Sequence, residues 1–280
     1  MTDQAQAFVP GHVTGFFTSD PDPDPTRAGS RGGGLALTDG VTVTVRPADE
    51  PAVFLGDAQV EMEAVERVLD ALEARARVRV QIETDLPPGT GFGVSGAAAL
   101  GTALATNTAF DRRLSENELV AVAHGAEVQA GTGLGDVVAQ ARGGIPLRLQ
   151  PGAPQVNELD AIPARARLEY LVHGELDTAE ILAGDTDALT EAGQRALAEV
   201  VSEPTLETFM RASRQFSREA GLLTDRVREV VTDVGEAGGS AAMAMLGETV
   251  VALDTGLSDA GYDPSVCQVH PSGATVGSDR

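Results

Sequence analysis

Four glycines, at positions 89, 91, 93 and 96, fall in the segment Pro87–Ala99, PPGTGFGVSGAAA, between a strand-like run ending near Thr84 and an Ala-rich run that reads as a helix from about Ser95. That order constrains the chain more than any other feature. The backbone must leave a strand, pass through left-handed conformations that glycine tolerates, and enter a helix within a few positions. Successive N–H groups turned inward, with the partial positive charge of a helix N-terminus behind them, make such a turn a place for phosphate. A tightly packed glycine turn is the other reading, and glycine content alone favours it. The spacing is neither GxxxxGK[ST] nor GxGxxG with an acidic residue about 20 positions on, so neither common nucleotide fingerprint is met.

The charged residues narrow the chemistry. Against 42 acidic residues stand 20 basic ones, every one an arginine, for a formal net charge of −22 over 280 residues. Without lysine, Schiff-base chemistry, a pyridoxal anchor and a Walker-type phosphate lysine are all excluded. A chain this acidic repels phosphate backbones, so no nucleic-acid partner is expected. The hydrophobic residues, 42% of the chain, suffice for a globular core, and the carboxylate-rich remainder is expected to suit strong, halophilic salt, where self-repulsion is screened. Cys267 is alone, which excludes an internal disulfide, and His12, His124, His173 and His270 form no ligand-spaced set. No run approaches about 18 consecutive apolar residues and the N-terminus lacks a charged leader region, so no membrane partner and a cytoplasmic location are expected.

Along the chain, Ala7–Phe17, Val41–Val45 and Val78–Ile82 read as strands, the last two by strict alternation. Glu61–Ala74 places Met62, Val65, Val68, Leu69 and Leu72 at helical spacing, an amphipathic helix against that sheet. Ser19–Gly34 is a loop by composition, readable as a solvated linker or as a substrate lid. Ala97–Phe110 reads as a helix, and a second runs from Ser115 to Ala130, opened by the capping-box pair Ser115 and Glu118. Gly143–Leu149 reads as a short strand, and Pro151–Pro163 as a turn-rich connection that divides a domain at 1–152 from one at 153–280. Beyond it come a strand at Leu168–His173, helices over most of Thr178–Val234, a hairpin of Ala241–Leu246 with Thr249–Leu253, and a polar, mobile tail. Strands first and helices later favour an α+β architecture over a doubly wound sheet.

PPGTGFGVSGAA resembles the second motif of the GHMP kinase superfamily, the galactokinase, homoserine kinase and mevalonate kinase group, usually P-x-G-x-G-L-G-S-S-A-A. Val9-Pro10-Gly11-His12-Val13 resembles its first motif and Gly235-Glu236-Ala237-Gly238-Gly239-Ser240 its glycine-rich third, in the right order and at the right distances. The resemblance implies the two-layer GHMP kinase fold, a ribosomal-protein-S5-like N-terminal β/α domain followed by an α+β domain, with ATP and Mg²⁺. It implies that Pro88, Gly89, Gly91, Gly93, Val94, Ser95, Gly96, Ala97, Gly238 and Gly239 surround the nucleotide, that Ser95 and Glu127 hold the metal, and that Asp136 is the catalytic base. Two departures stand out: Val94 replaces the first serine of the motif, and His12 replaces a lysine often found beside the base. A histidine donates a hydrogen bond but is a weaker constant cation at neutral pH.

FVPGHVTGFF, GFGVSGAAALGTALATN, AHGAEVQAGTGLGDVVAQARGG and GGSAAMAMLGETV together resemble the archaeal pantoate kinases, one branch of that superfamily. The acceptor implied is (R)-pantoate, phosphorylated on its 4-hydroxyl in coenzyme A synthesis, and the resemblance is compatible with a homodimer. A pantoate carboxylate calls for a planar guanidinium, and Arg148 is placed to supply it, with His124 and Ser30 as further substrate contacts. Each residue has a structural alternative. Glu127 can be a solvated carboxylate, Asp136 a helix cap, His12 a packed strand residue and Arg148 a strand-edge ion pair. Alternative functions are a shikimate, homoserine or mevalonate kinase, and a non-catalytic nucleotide-binding regulator.

Overall fold

The structure, a computed structural model, describes residues 4–175 and 186–277. The sequence expectation of helix near residues 178–185 lies outside them. The chain opens with β1 (Ala5–Phe17) and β2 (Gly32–Pro47), paired antiparallel along their lengths, followed by the short β3 (Ala52–Leu55) and β4 (Ala58–Gln59) and by α1 (Glu63–Ala71). Next, β5 (Val78–Thr84) pairs with β2 antiparallel and with β3 in parallel. Val41, Val43, Val45, Val80 and Ile82 are fully buried while their neighbours in the chain are not, as strict alternation requires of a sheet covered on one side.

The cover is helical. It comprises α2 (Val94–Ala109), α3 (Glu116–Ala130) and, at the end nearest the glycine loop, α4 (Asp136–Arg142). Almost every residue of α2 is buried, because it lies between β1 and β2 on one side and α1 and α3 on the other. Small residues permit that approach: a Cβ on Gly101 would lie 2.5 Å from Val43. The capping box of α3 is present, with Ser115 accepting from the Glu118 amide and Glu118 accepting from the Ser115 amide at 2.7 Å.

The chain continues through β6 (Pro146–Gln150), β7 (Glu158–Ala161) and β8 (Arg167–Glu175), then α5 (Asp187–Ser202), α6 (Leu206–Glu219) and α7 (Asp225–Glu236). It closes with β9 (Ala241–Ala244), β10 (Gly247–Leu253), α8 (Gly256–Asp259), β11 (Ser265–Gln268) and β12 (Thr275–Gly277). A second, antiparallel sheet has the order β11-β8-β10-β9. Phe16 packs on Phe209 and Phe17 on Phe216, so α6 covers the second half of β1 on the face opposite α2. Hence Val9–Phe17 is buried without alternation, and a polar side chain in this stretch, such as His12, finds no bulk water.

Three segments differ from the sequence reading. The connection 151–163 contains β7, which pairs with β6 in the first sheet. The split at 152/153 therefore falls in the turn of that hairpin. The tail contributes β12, which pairs with the edge of β1, and the last residues of the Ser19–Gly34 loop already belong to β2. In each case backbone pairing with a distant strand overrides a turn-rich local composition.

Candidate active site

The glycine loop needs its glycines. Gly89, Gly91 and Gly93 have φ of 77°, 93° and 63°, and Gly93 is the N-cap of α2 with no side-chain cap. The amides of residues 91–96 have no hydrogen-bond partner among the described residues, and the first amide committed to α2 is that of Ala97, which donates to Gly93 O at 3.0 Å. Unsatisfied donors at a helix start, backed by its dipole, are an anion site. The Ala97 amide, in the segment expected to surround the nucleotide, is thus committed to the helix, and Pro88 shapes the loop without an N–H to give.

A polar cluster faces this loop. Asp136 opens α4 with its Cγ 3.2 Å from where a Gly93 Cβ would stand. The Nδ1–H of His12 donates to Asp136 Oδ1 at 2.7 Å. A register shift in the β1–β2 ladder between Pro10 and His12 aims that ring, and Gly34 leaves room for it, since a Cβ there would lie 2.1 Å from His12 Nε2. Burial drives the His12 pKa down, further than Asp136 raises it, so the ring is neutral at pH 7. Burial would raise the Asp136 pKa, but hydrogen bonds from His12 and Thr14 and the charge of Arg148 outweigh it, and the carboxylate is held below its ordinary range.

Arg148, on β6, is 2% exposed. Its Nε donates to Ser30 O at 3.3 Å, while Nη1 is buried with no partner. A buried guanidinium with an idle donor is expensive unless an anion meets it. Ser30, Asp136 and Arg148 line one small pocket with Thr14, Phe17, Leu134, Gly135 and Leu246.

Beside this pocket, Ser95 Oγ lies 3.1 Å from Glu127 Oε2 and 3.2 Å from Thr132 Oγ1. Burial, reinforced by the charge of Asp136, pushes the Glu127 carboxyl up to about 7. Oxygen-only ligands around an uncompensated carboxylate fit a hard cation that takes its remaining ligands from phosphate and water, as Mg²⁺ does. Among the described residues no three His, Cys, Asp or Glu gather into a metal cage.

Two expected contacts lie elsewhere. Gly238, with φ of 84°, donates to Gly235 O at 3.1 Å, and Gly239 donates to Val234 O at 2.8 Å. Together they close α7 as a Schellman motif, at the far end of β9 from the loop. The backbone that meets the loop is the β9–β10 turn: a Cβ on Gly91 would lie 2.9 Å from Met245 O, and Thr249 Oγ1 donates to Thr90 O at 2.8 Å. The apolar, glycine-containing turn Met245-Leu246-Gly247 was the available signal. His124 reaches the Ser19–Gly34 loop rather than the pocket, its Nε2–H donating to Ala28 O at 2.8 Å, so it tethers the segment that carries Ser30. Sequence reasoning missed Gln140, one turn after Asp136 on α4, whose Nε2 donates to Gly93 O at 2.9 Å, and Thr132.

The family model described as GHMP kinases N terminal domain matches residues 61–144. The pantoate kinase of Methanocaldococcus jannaschii is 32% identical over 251 residues, 88% of this chain and 91% of that protein. That of Thermococcus kodakarensis is 33% identical over 264 residues, 89% and 87%. A solved structure described as a phosphotransferase related to the CoA biosynthesis pathway superposes with a TM-score of 0.87 at 29% identity, covering 98% of both chains. Homoserine kinase of Cytophaga hutchinsonii shares the fold, with a TM-score of 0.71 at 18% identity over 99% of this chain and 98% of that one. The chain belongs to the GHMP kinases, in the family of the pantoate kinases.

Proposed function

We propose that this chain transfers the γ-phosphoryl group of ATP to the 4-hydroxyl of (R)-pantoate, giving ADP and 4-phosphopantoate for coenzyme A synthesis in the archaeal cytoplasm. One observation carries the acceptor assignment: the idle, buried Nη1 of Arg148 shares a small pocket with the Asp136 carboxylate, beside a loop of free amides. The amides of residues 91–96 bind the phosphates, and Arg148 takes the acceptor's carboxylate. Asp136, oriented by His12, accepts the proton of the hydroxyl as its oxygen attacks the γ-phosphorus. Ser95 and Glu127, with Thr132, would hold Mg²⁺, which when bound offsets charge on the transferring phosphoryl group.

Homoserine presents an ammonium as well as a carboxylate. Among the described residues the only anionic group lining the pocket is Asp136, already bonded to His12, which disfavours that acceptor. The test is ADP release with pantoate, homoserine, shikimate and mevalonate, with Mg²⁺ in high-salt buffer. Pantoate should exceed the others in kcat/KM by at least about a hundredfold, the margin typical when a buried polar partner is left unmet. Equal turnover of homoserine overturns the assignment. The net charge of −22 without lysine further supports a working environment of strong salt, in which activity rises from dilute buffer to molar potassium chloride.

A further inference from the structure

The acceptor pocket has two chemical halves. Ser30, Asp136 and Arg148 form one; Phe17, Leu134 and Leu246 form the other. Of the apolar three, Leu246 sits in the most unfavourable backbone conformation. Its φ is 67°, in the left-handed region that a branched side chain disfavours and that glycine or asparagine would occupy with less strain. The turn that carries it is fixed from both sides. Met245 N–H donates to Thr14 O at 2.9 Å, Gly247 packs on the backbone of Thr90 and Gly91, and Thr249 is bonded to Thr90. Strain that the surroundings impose and that no local gain explains points to a use for the side chain, and the side chain of Leu246 lines the pocket.

We infer that Leu246 is a specificity-determining residue, the apolar wall that selects an acceptor carrying a quaternary, dimethyl-substituted carbon between its carboxylate end and its reacting hydroxyl. The inference rests on the acceptor assignment above. With the carboxylate on Arg148 and the hydroxyl at Asp136, the carbon between them faces away from both polar groups, and two methyls there need an apolar surface. Its position, locked to the phosphate loop through Gly247 and Thr249 and to β1 through Met245, keeps that surface at a fixed distance from the phosphoryl group.

The test compares Leu246→Gly and Leu246→Asn with wild type, both substitutions compatible with the left-handed backbone. kcat/KM is measured on pantoate and on 2,4-dihydroxybutyrate, the same skeleton without the two methyls, together with KM for ATP and the unfolding midpoint. Wild type should prefer pantoate, and the ratio of the two kcat/KM values should fall about tenfold or more in each variant, mainly through the pantoate KM, in line with methyl-level discrimination in apolar pockets. The ATP KM should stay within about twofold and the midpoint should hold or rise as strain is relieved. A ratio unchanged within about twofold, or parallel losses on both acceptors, overturns the inference and assigns Leu246 a structural role. Wild type that phosphorylates neither acid overturns the acceptor assignment itself, a result visible before any variant is made.

Discussion

In the loop at residues 91–96 every amide lacks a partner among the described residues, whereas at the end of α7 the amides of Gly238 and Gly239 are both bonded to carbonyls of their own helix. Both segments are glycine-rich because both take the chain through positive φ. The first leaves its donors open at a helix start and faces Asp136; the second satisfies a helix end and faces Val234 and Gly256. Glycine therefore reports a backbone requirement, and only the bookkeeping of N–H partners separates a ligand site from a cap.

The comparison can be broken at several points. The largest effect is expected from Asp136→Asn, which keeps the shape of the group facing the loop but removes its capacity to accept a proton. kcat should fall about a hundred- to ten-thousandfold with little change in ATP affinity, and a variant with wild-type turnover breaks the base assignment. Next comes Gly91→Ala, whose Cβ would stand 2.9 Å from Met245 O at a φ of 93°. The ATP KM should rise about tenfold or more, since a displacement near 1 Å suffices for such losses. Gly238→Ala sharpens the contrast: it should lower stability by about 1 kcal/mol and leave the ATP KM unchanged, so a raised KM would return this glycine to the nucleotide site.

The smallest effect concerns Glu127. Its folded pKa of about 7 lies above the ordinary 4.5. Between those values the folded chain keeps a proton that the unfolded chain has released, so stability falls as pH rises through that window. Glu127→Gln removes this penalty. In metal-free buffer its unfolding midpoint should exceed that of wild type at pH 8 and converge with it below about pH 4.5, while its Mg²⁺-dependent activity is lost. A gap that is the same at both pH values contradicts the burial account.

Much of this was legible in the sequence for definite reasons. The alternation of Val41–Val45 and Val78–Ile82 and the Ser115–Glu118 box follow from local rules, and the structure keeps all three. The strand-glycine-helix order was readable because each part constrains the next. The short strands β7 and β12 were not, since their pairing depends on β6 and β1 rather than on their own composition. Arg148, Asp136 and Ser30 line one pocket, whereas Gln140 carried no local mark and Leu246 only that of an apolar turn beside a glycine. A glutamine one turn along a helix and a leucine in a hairpin acquire meaning only from what packs on them.

The Thr90–Thr249 contact joins residues 159 positions apart. The glycine loop thus reaches its final packing during synthesis only after Thr249 has been made and has folded back onto it. A product of premature termination before Gly247 would carry the whole glycine motif and yet lack the backbone that packs on Thr90 and Gly91.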